Sequence, residues 1–246
     1  MNKSVCAAAM ALASTAAVAD SFTFEAAGRY ADSDSAGEGY AVDASYFPGG
    51  VDVGDRPRIE APFLNRATRA TLVYADQTDS DTQSYRLEVE KWFGDFYVAI
   101  DGEYLDSNVD ETEGYGANIG FMVGENFRYA VRYAENAAFD AEEVAFLARA
   151  YVGTGNGRGI AVNANMTFID DAASTAKFGG ALDYYFNQNL SLGLLATHID
   201  NDASSDQEYG ARASFFVTPS IFVEADYKTT GDSDDDIYGG RVGMRF

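Results

Sequence analysis

The chain carries a single histidine, His198, in the stretch Thr197-His198-Ile199-Asp200-Asn201-Asp202. An imidazole beside a carboxylate can take a proton from water, so His198 with Asp200 or Asp202 is the one general-base pair on offer. Period-two spacing puts His198 on the face of Leu190, Leu192 and Leu194, which reads as a lipid-side position instead. No Gly-x-Ser-x-Gly elbow, no cysteine nucleophile beyond Cys6 and no metal-ligand cluster accompanies it. The acidic run Gly231 to Asp236 lacks the glycine and distal glutamate of an EF-hand calcium loop. No enzyme activity, cofactor or metal is expected.

The remaining chemistry-bearing residues are ionised side chains in the middle of apolar segments. The basic ones are Arg29, Arg69, Arg86, Arg128, Arg132, Arg149, Lys177, Arg212, Lys228, Arg241 and Arg245. The acidic ones are Glu25, Asp43, Glu88, Glu90, Asp101, Glu103, Glu143, Asp183, Glu224 and Asp226. Each falls on one parity of its segment, opposite a face of Tyr, Phe, Val, Leu and Ile. Two readings of these charges stand side by side. Rows of arginine facing rows of acid make a transverse field across water, as in a pore. The same residues can also satisfy one another as cross-strand pairs.

The elements that must position them are strands. Alternation recurs from Ser21 onward in segments of about ten residues, for example Tyr85-Leu87-Val89 against Arg86-Glu88-Glu90, and Phe127-Tyr129-Val131-Tyr133 against Arg128-Arg132. In the first segment Phe22, Phe24, Ala26, Gly28 and Tyr30 share a parity and read as one face. The segments tile the chain as about 14 strands, an even number as in single-chain bacterial barrels, with 12 or 16 as alternatives. No run of about 18 apolar residues offers a spanning helix.

The connections are of two alternating kinds. Gly94-Asp95, Gly124-Glu125-Asn126, Gly153 to Gly157, Asn187-Gln188-Asn189 and Thr218-Pro219 are short hairpin turns of little charge. The others are acidic, such as Ala31 to Glu38, Ala75 to Asp81 and Leu105 to Glu113. Alternation along a meander sends all the acidic turns to one end. Net charge is −22, which excludes a nucleic-acid surface. Ionised residues suit a wet lumen and not a dry core. Tyr and Phe cluster near segment ends like interfacial girdles. The fold class expected is therefore all-β, a transmembrane antiparallel up-and-down barrel with short periplasmic turns and acidic external loops.

Residues 1–19 form a charged start at Lys3, a short apolar stretch and Ala17-Val18-Ala19, the pattern of a removable signal peptide. Residues 20–246 then form the barrel, with 47–66 as a periplasmic linker or partial plug, locally basic through Arg56, Arg58 and Arg66. At the other end Tyr238, Gly240, Val242, Met244 and Phe246 alternate with Arg241 and Arg245. This ending resembles the C-terminal signal of Gram-negative outer-membrane proteins, which implies that Phe246 is read by the barrel assembly machinery. The stretch Ser45 to Ala67, with Tyr46-Phe47, Pro57 and Glu60-Ala61-Pro62-Phe63-Leu64, resembles the linker of a putative-porin family of proteobacteria. The resemblance implies a porin-like barrel and does not name a solute.

The function expected is an outer-membrane porin, a passive channel for small hydrophilic solutes and ions with a bias towards cations from its acidic rim. The alternatives are a non-conducting structural or adhesive barrel and, more distantly, a hydrolase built on His198. Expected partners are outer-membrane lipid and lipopolysaccharide, the assembly machinery and small solutes, with a homotrimer as in general porins; nucleic acid is not among them.

Overall fold

The alternation has a simple structural solution. A sheet with one apolar face and one charged face can close on itself, which leaves no unpaired edge in lipid. In a computed structural model, which describes residues 21–35, 37–108, 111–136, 141–170, 174–201, 205–231 and 235–246, the chain does this. Fourteen antiparallel strands form one closed barrel in up-and-down order, each paired with its neighbours in sequence, and the first with the last. The segment read as a signal peptide, residues 1–19, lies outside the described residues.

The strands are β1 (Ser21–Ser33), β2 (Gly37–Asp52), β3 (Arg69–Gln77), β4 (Thr82–Phe93), β5 (Phe96–Asp106), β6 (Glu111–Val123) and β7 (Phe127–Asn136). They continue as β8 (Ala141–Gly155), β9 (Arg158–Asp170), β10 (Thr175–Tyr185), β11 (Leu190–Asp200), β12 (Ser205–Thr218), β13 (Ile221–Thr230) and β14 (Asp236–Arg245). Between β2 and β3 the chain makes a 3₁₀ turn (Arg58–Glu60) and one short helix, α1 (Ala61–Leu64), started by Pro62 in its first turn.

Parity sorts the side chains as expected. Leu72, Leu87, Ile100, Ile119, Leu194 and Val242 are all at least half exposed on the outer surface, as residues bathed by lipid must be in the isolated chain. Outward aromatic side chains form two belts. At the acidic-turn end they are mostly tyrosines, paired across strands as Tyr30–Tyr40, Tyr74–Tyr85 and Tyr227–Tyr238. At the other end they include Phe93, Phe96, Phe121, Phe186 and Phe246. Tight turns at that end use positive φ at Gly94 (66°) and Gly124 (65°), which only glycine adopts without strain.

Closure joins β1 to β14 with Glu25 opposite Arg245 and Arg29 opposite Arg241. The Phe246 carbonyl accepts from both Thr23 N (2.9 Å) and Phe24 N (2.8 Å). Two donors on one acceptor mark a bulge, and the β1–β2 register shifts between Phe22 and Phe24. This corrects the sequence reading of β1. Phe24 points outward and stacks on Phe246 at 5.1 Å, but Phe22 turns inward and is 4% exposed. A second boundary also moves: β2 runs on to Asp52, past the Tyr46-Phe47 at which the irregular segment was expected to begin.

Candidate functional site in the barrel lumen

The inward parity of the strands builds three linked sets of charges. The first straddles the closure. Arg241 Nη2 donates to Glu25 (3.0 Å) and Asp43 (2.9 Å), and Arg241 Nη1 donates to Glu224 (2.9 Å). Arg245 Nε donates to Glu25 at 2.6 Å. Arg29 and Arg241 are directly opposed like charges, a destabilising arrangement by itself. Asp43 resolves it by accepting from Arg29 Nε at 3.2 Å as well as from Arg241.

The second set runs across β3 to β8. Arg69 pairs with Glu88 (2.7 Å) and Glu90 (3.6 Å), Arg86 with Glu88 (3.6 Å) and Asp101 (3.4 Å), and Arg132 with Asp101 (2.9 Å) and Glu143 (3.3 Å). The pairs run from β3 through β4 and β5 to β7 and β8, with no charged member from β6. The third set is smaller: Arg212 forks onto both oxygens of Asp183. Glu103, Arg128, Lys177, Asp226 and Lys228 share the inward parity, and among the described residues none makes an ion pair. The sequence-predicted residues are therefore brought to one interior surface, but five stand outside its salt-bridge network.

The segment between β2 and β3 occupies one mouth of the barrel, the one that holds Ser21, Phe246 and the tight turns. Its contacts reach right round the wall. Arg58 N donates to Gln188 O (3.0 Å), Arg58 Nε to Asn189 Oδ1 (2.9 Å), and Arg245 Nη1 to Arg58 O (2.6 Å). Glu60, 2% exposed, accepts from Arg149 Nη2 (2.7 Å) and Tyr185 OH (2.6 Å). Arg66 sits at φ 51° and is held on the far side by Asp95 (2.9 Å) and Gly124 O (2.9 Å).

Apolar packing completes this mouth. Phe63 lies against Met122, Tyr151, Ala161 and Tyr185, while Ile59 packs on Phe216, Phe222 and Ala27. Phe22 and Phe47 meet Val51, Val53, Ala61 and Ala67. These strand residues all face the lumen, Phe22 through the β1 bulge and the others by parity, so the lumen is a dry core at this end. Burying each large side chain contributes about 1.5–3 kcal/mol. Sequence reading missed this core. Its signal is the loss of alternation near the tight turns, where both parities are apolar: Trp92-Phe93, Phe121-Met122-Val123, Tyr184-Tyr185-Phe186 and Phe215-Phe216-Val217.

Beyond this dry core the lumen holds cavities of about 450, 340 and 220 Å³. The largest lies over α1 between Arg29, Arg69, Arg128 and Arg149; the second lies between Arg86, Arg132, Glu103 and Glu143. His198 is on the other side of the wall: its ring stacks on the outward Phe178 at 6.5 Å. No cluster of three His, Cys, Asp or Glu side chains suited to a metal occurs among the described residues.

Comparison with known proteins agrees with this geometry. Omp33, an outer membrane protein of Acinetobacter baumannii, superposes with a TM-score of 0.75 at 24% identity, over 92% of this chain and 99% of that one. OccK7 (OpdD) of Pseudomonas aeruginosa does so at 0.51 and 8% identity, over 92% and 98%. The KdgM porin, solved in complex with disordered oligogalacturonate, does so at 0.50 and 10%, over 90% and 99%. Among curated proteins none matches the chain. The model of one sequence family, described as "Putative general bacterial porin", matches residues 1–237. With a closed barrel, a charged lumen and that match over nearly its whole length, the chain belongs to this family of bacterial outer-membrane porins.

Proposed function

We propose that the protein is a narrow passive channel for small hydrophilic solutes and ions, biased towards cations. The observation that carries the reading is the inward surface: ionised side chains line it for most of its length while the opposite face of the same strands is apolar. A wall of paired charges needs water or counter-charges around it. Asp32, Asp34, Asp76, Asp79, Asp81, Asp106, Asp200 and Asp206 sit in or beside the acidic turns. They would raise cation concentration at that mouth within about a Debye length, some 8 Å at physiological salt. By the usual barrel orientation that mouth faces outside, and the insert-filled mouth faces the periplasm.

In this reading the chain carries solute and does no covalent chemistry. Residues 1–19 serve as the export signal, residues 20–246 form the barrel with 47–66 as its partial plug, and Phe246 in its closing position is the handle for the assembly machinery. Lipid and lipopolysaccharide surround the barrel, and trimers follow the general-porin precedent.

The test is single-channel conductance of the refolded chain in a planar bilayer, with reversal potential in a salt gradient. A steady conductance with cation-biased reversal is expected. A folded barrel that passes no current would overturn the reading. It would favour the second one, a non-conducting structural barrel, to which the ring of bonds from Arg58, Glu60 and Arg66 across the mouth gives support.

A further inference from the structure

Two pairs of arginines face each other directly across neighbouring strands in the lumen. One is Arg29 opposite Arg241; the other is Arg128 opposite Arg149. In the first pair a carboxylate, Asp43, lies between the two guanidinium groups and accepts from both. In the second pair nothing equivalent is present. Arg149 gives Nη2 to Glu60 of the insert, and its Nε, like that of Arg241 in the first pair, is buried without a hydrogen-bond partner. Arg128 makes no ion pair among the described residues. It rests on aromatic faces instead, 4.9 Å from the Tyr97 ring centre and 5.6 Å from that of Phe63, whose ring also faces Arg149 at 4.6 Å. Opposed like charges with no anion between them are unfavourable, and a buried guanidinium nitrogen without an acceptor is costly.

Both side chains line the cavity of about 450 Å³ over α1, and Arg69, whose Nε also lacks a partner, lines it too. The cavity therefore offers the unpaired Arg128 guanidinium beside apolar walls from Phe47, Ile59 and Phe63, while the Arg149 and Arg69 Nε atoms are buried behind its surface. We propose that Arg128 and Arg149 form a subsite for a small monocarboxylate with a short apolar stem, its carboxylate placed as Asp43 is placed between Arg29 and Arg241. A guanidinium fork matches a carboxylate bidentately. Glu90 and Asp43 line the same cavity and would repel anions of higher charge. The subsite rests on reading the lumen as a solute path, and it names the solute class that pauses there.

The molecule carries its own reporter. Trp92, the single tryptophan, stacks on Tyr97 at 4.9 Å, directly behind Arg128. The experiment is titration of the folded full chain in detergent with sodium butyrate, and separately with sodium chloride at equal ionic strength, following Trp92 emission. A saturable change with butyrate and none with chloride is expected. In Arg128→Gln the half-saturating concentration should rise about tenfold, the loss of one charge-assisted pair of hydrogen bonds. Arg128→Lys keeps the positive charge for folding but lacks the fork, and should also bind more weakly.

An equal response to chloride, no response in the wild type, or wild-type affinity in either variant would overturn the proposal. Conduction distinguishes it from the channel reading. A barrel that conducts but ignores butyrate loses the subsite alone, and one that binds butyrate but passes no current loses the channel reading alone.

Discussion

The two ends of this barrel are made from the same strands and the same alternation, yet one is wet and the other dry. At the acidic end the outward belt is tyrosine, and its hydroxyls reach the charged turns: Tyr40 donates to Glu38 (3.0 Å), Tyr74 to Asp76 (3.1 Å) and Tyr227 to Asp236 (2.8 Å). Inward positions towards that end include Arg86, Glu103, Arg132 and Glu143. At the opposite end the outward belt includes Phe96, Phe121, Phe186 and Phe246, while inward positions are Met122, Tyr151, Tyr185, Phe216 and Phe222 closed over by the β2–β3 insert. Period two specifies only that a strand has two faces. Whether the inner face bounds water or a core depends on what the chain places inside it.

The strongest way to break this contrast is to remove the insert. Replacing Gly54 to Arg66 by a short Gly-Ser linker should open the dry mouth and raise single-channel conductance several-fold; unchanged conductance would mean that the insert does not limit flow. Next comes Glu60→Ala, which strands Arg149 in the lumen and removes the acceptor of Tyr185. It should lower stability by about 3 kcal/mol, read from urea unfolding by Trp92 fluorescence. Tyr185→Phe, which keeps the ring and the ion pair, should cost about 1 kcal/mol in the same assay.

At the wet end the effects are smaller. Neutralising Asp76, Asp79 and Asp81 together to Asn should move the reversal potential towards zero in dilute salt. The shift should fade near 1 M, where the Debye length is about 3 Å. The smallest effect concerns Asp235, outside the strands. The Ser35 hydroxyl (2.6 Å) and backbone N–H (2.9 Å) hold its carboxyl below the usual carboxylate range. Because the folded state favours the charged form, this tie between the β1–β2 and β13–β14 hairpins is complete above the ordinary carboxylate pKa. It is lost as pH falls through the lowered value. Protection of the Ser35 amide, taken against the intrinsic exchange rate at each pH, should fall on that acidification, and Asp235→Ala should show the lower protection at neutral pH.

Much of this was legible in the residues. Strands such as β4 and β7 follow directly from Tyr85-Leu87-Val89 and Phe127-Tyr129-Val131, because a membrane barrel forces lipid-facing and lumen-facing residues to alternate. The inward placement of Arg132, Asp101 and Glu143 follows from the same parity. The partner choices within that set do not, since several acids lie within reach of each arginine. Phe22 was misread because a bulge resets parity without altering composition. The insert was legible as a break in pattern at Pro57 and Pro62, with linker and partial plug as its two readings, but its partners inside the mouth were not.

The sequence by itself determined a strand count near 14, the facing of most side chains, the sorting of acid to one end and the closure through the last strand. These depend on local period and on turns, which act between residues near in the chain. Only the tertiary structure decided that Glu60 would meet Arg149 and Tyr185, that the Phe63 ring would face both Arg128 and Arg149, and that Asp43 would serve one pair of opposed arginines while the other goes without. Those contacts join residues far apart in sequence across a closed wall. Closure curls a periodic pattern into an interior, and that geometry is set by the barrel as a whole.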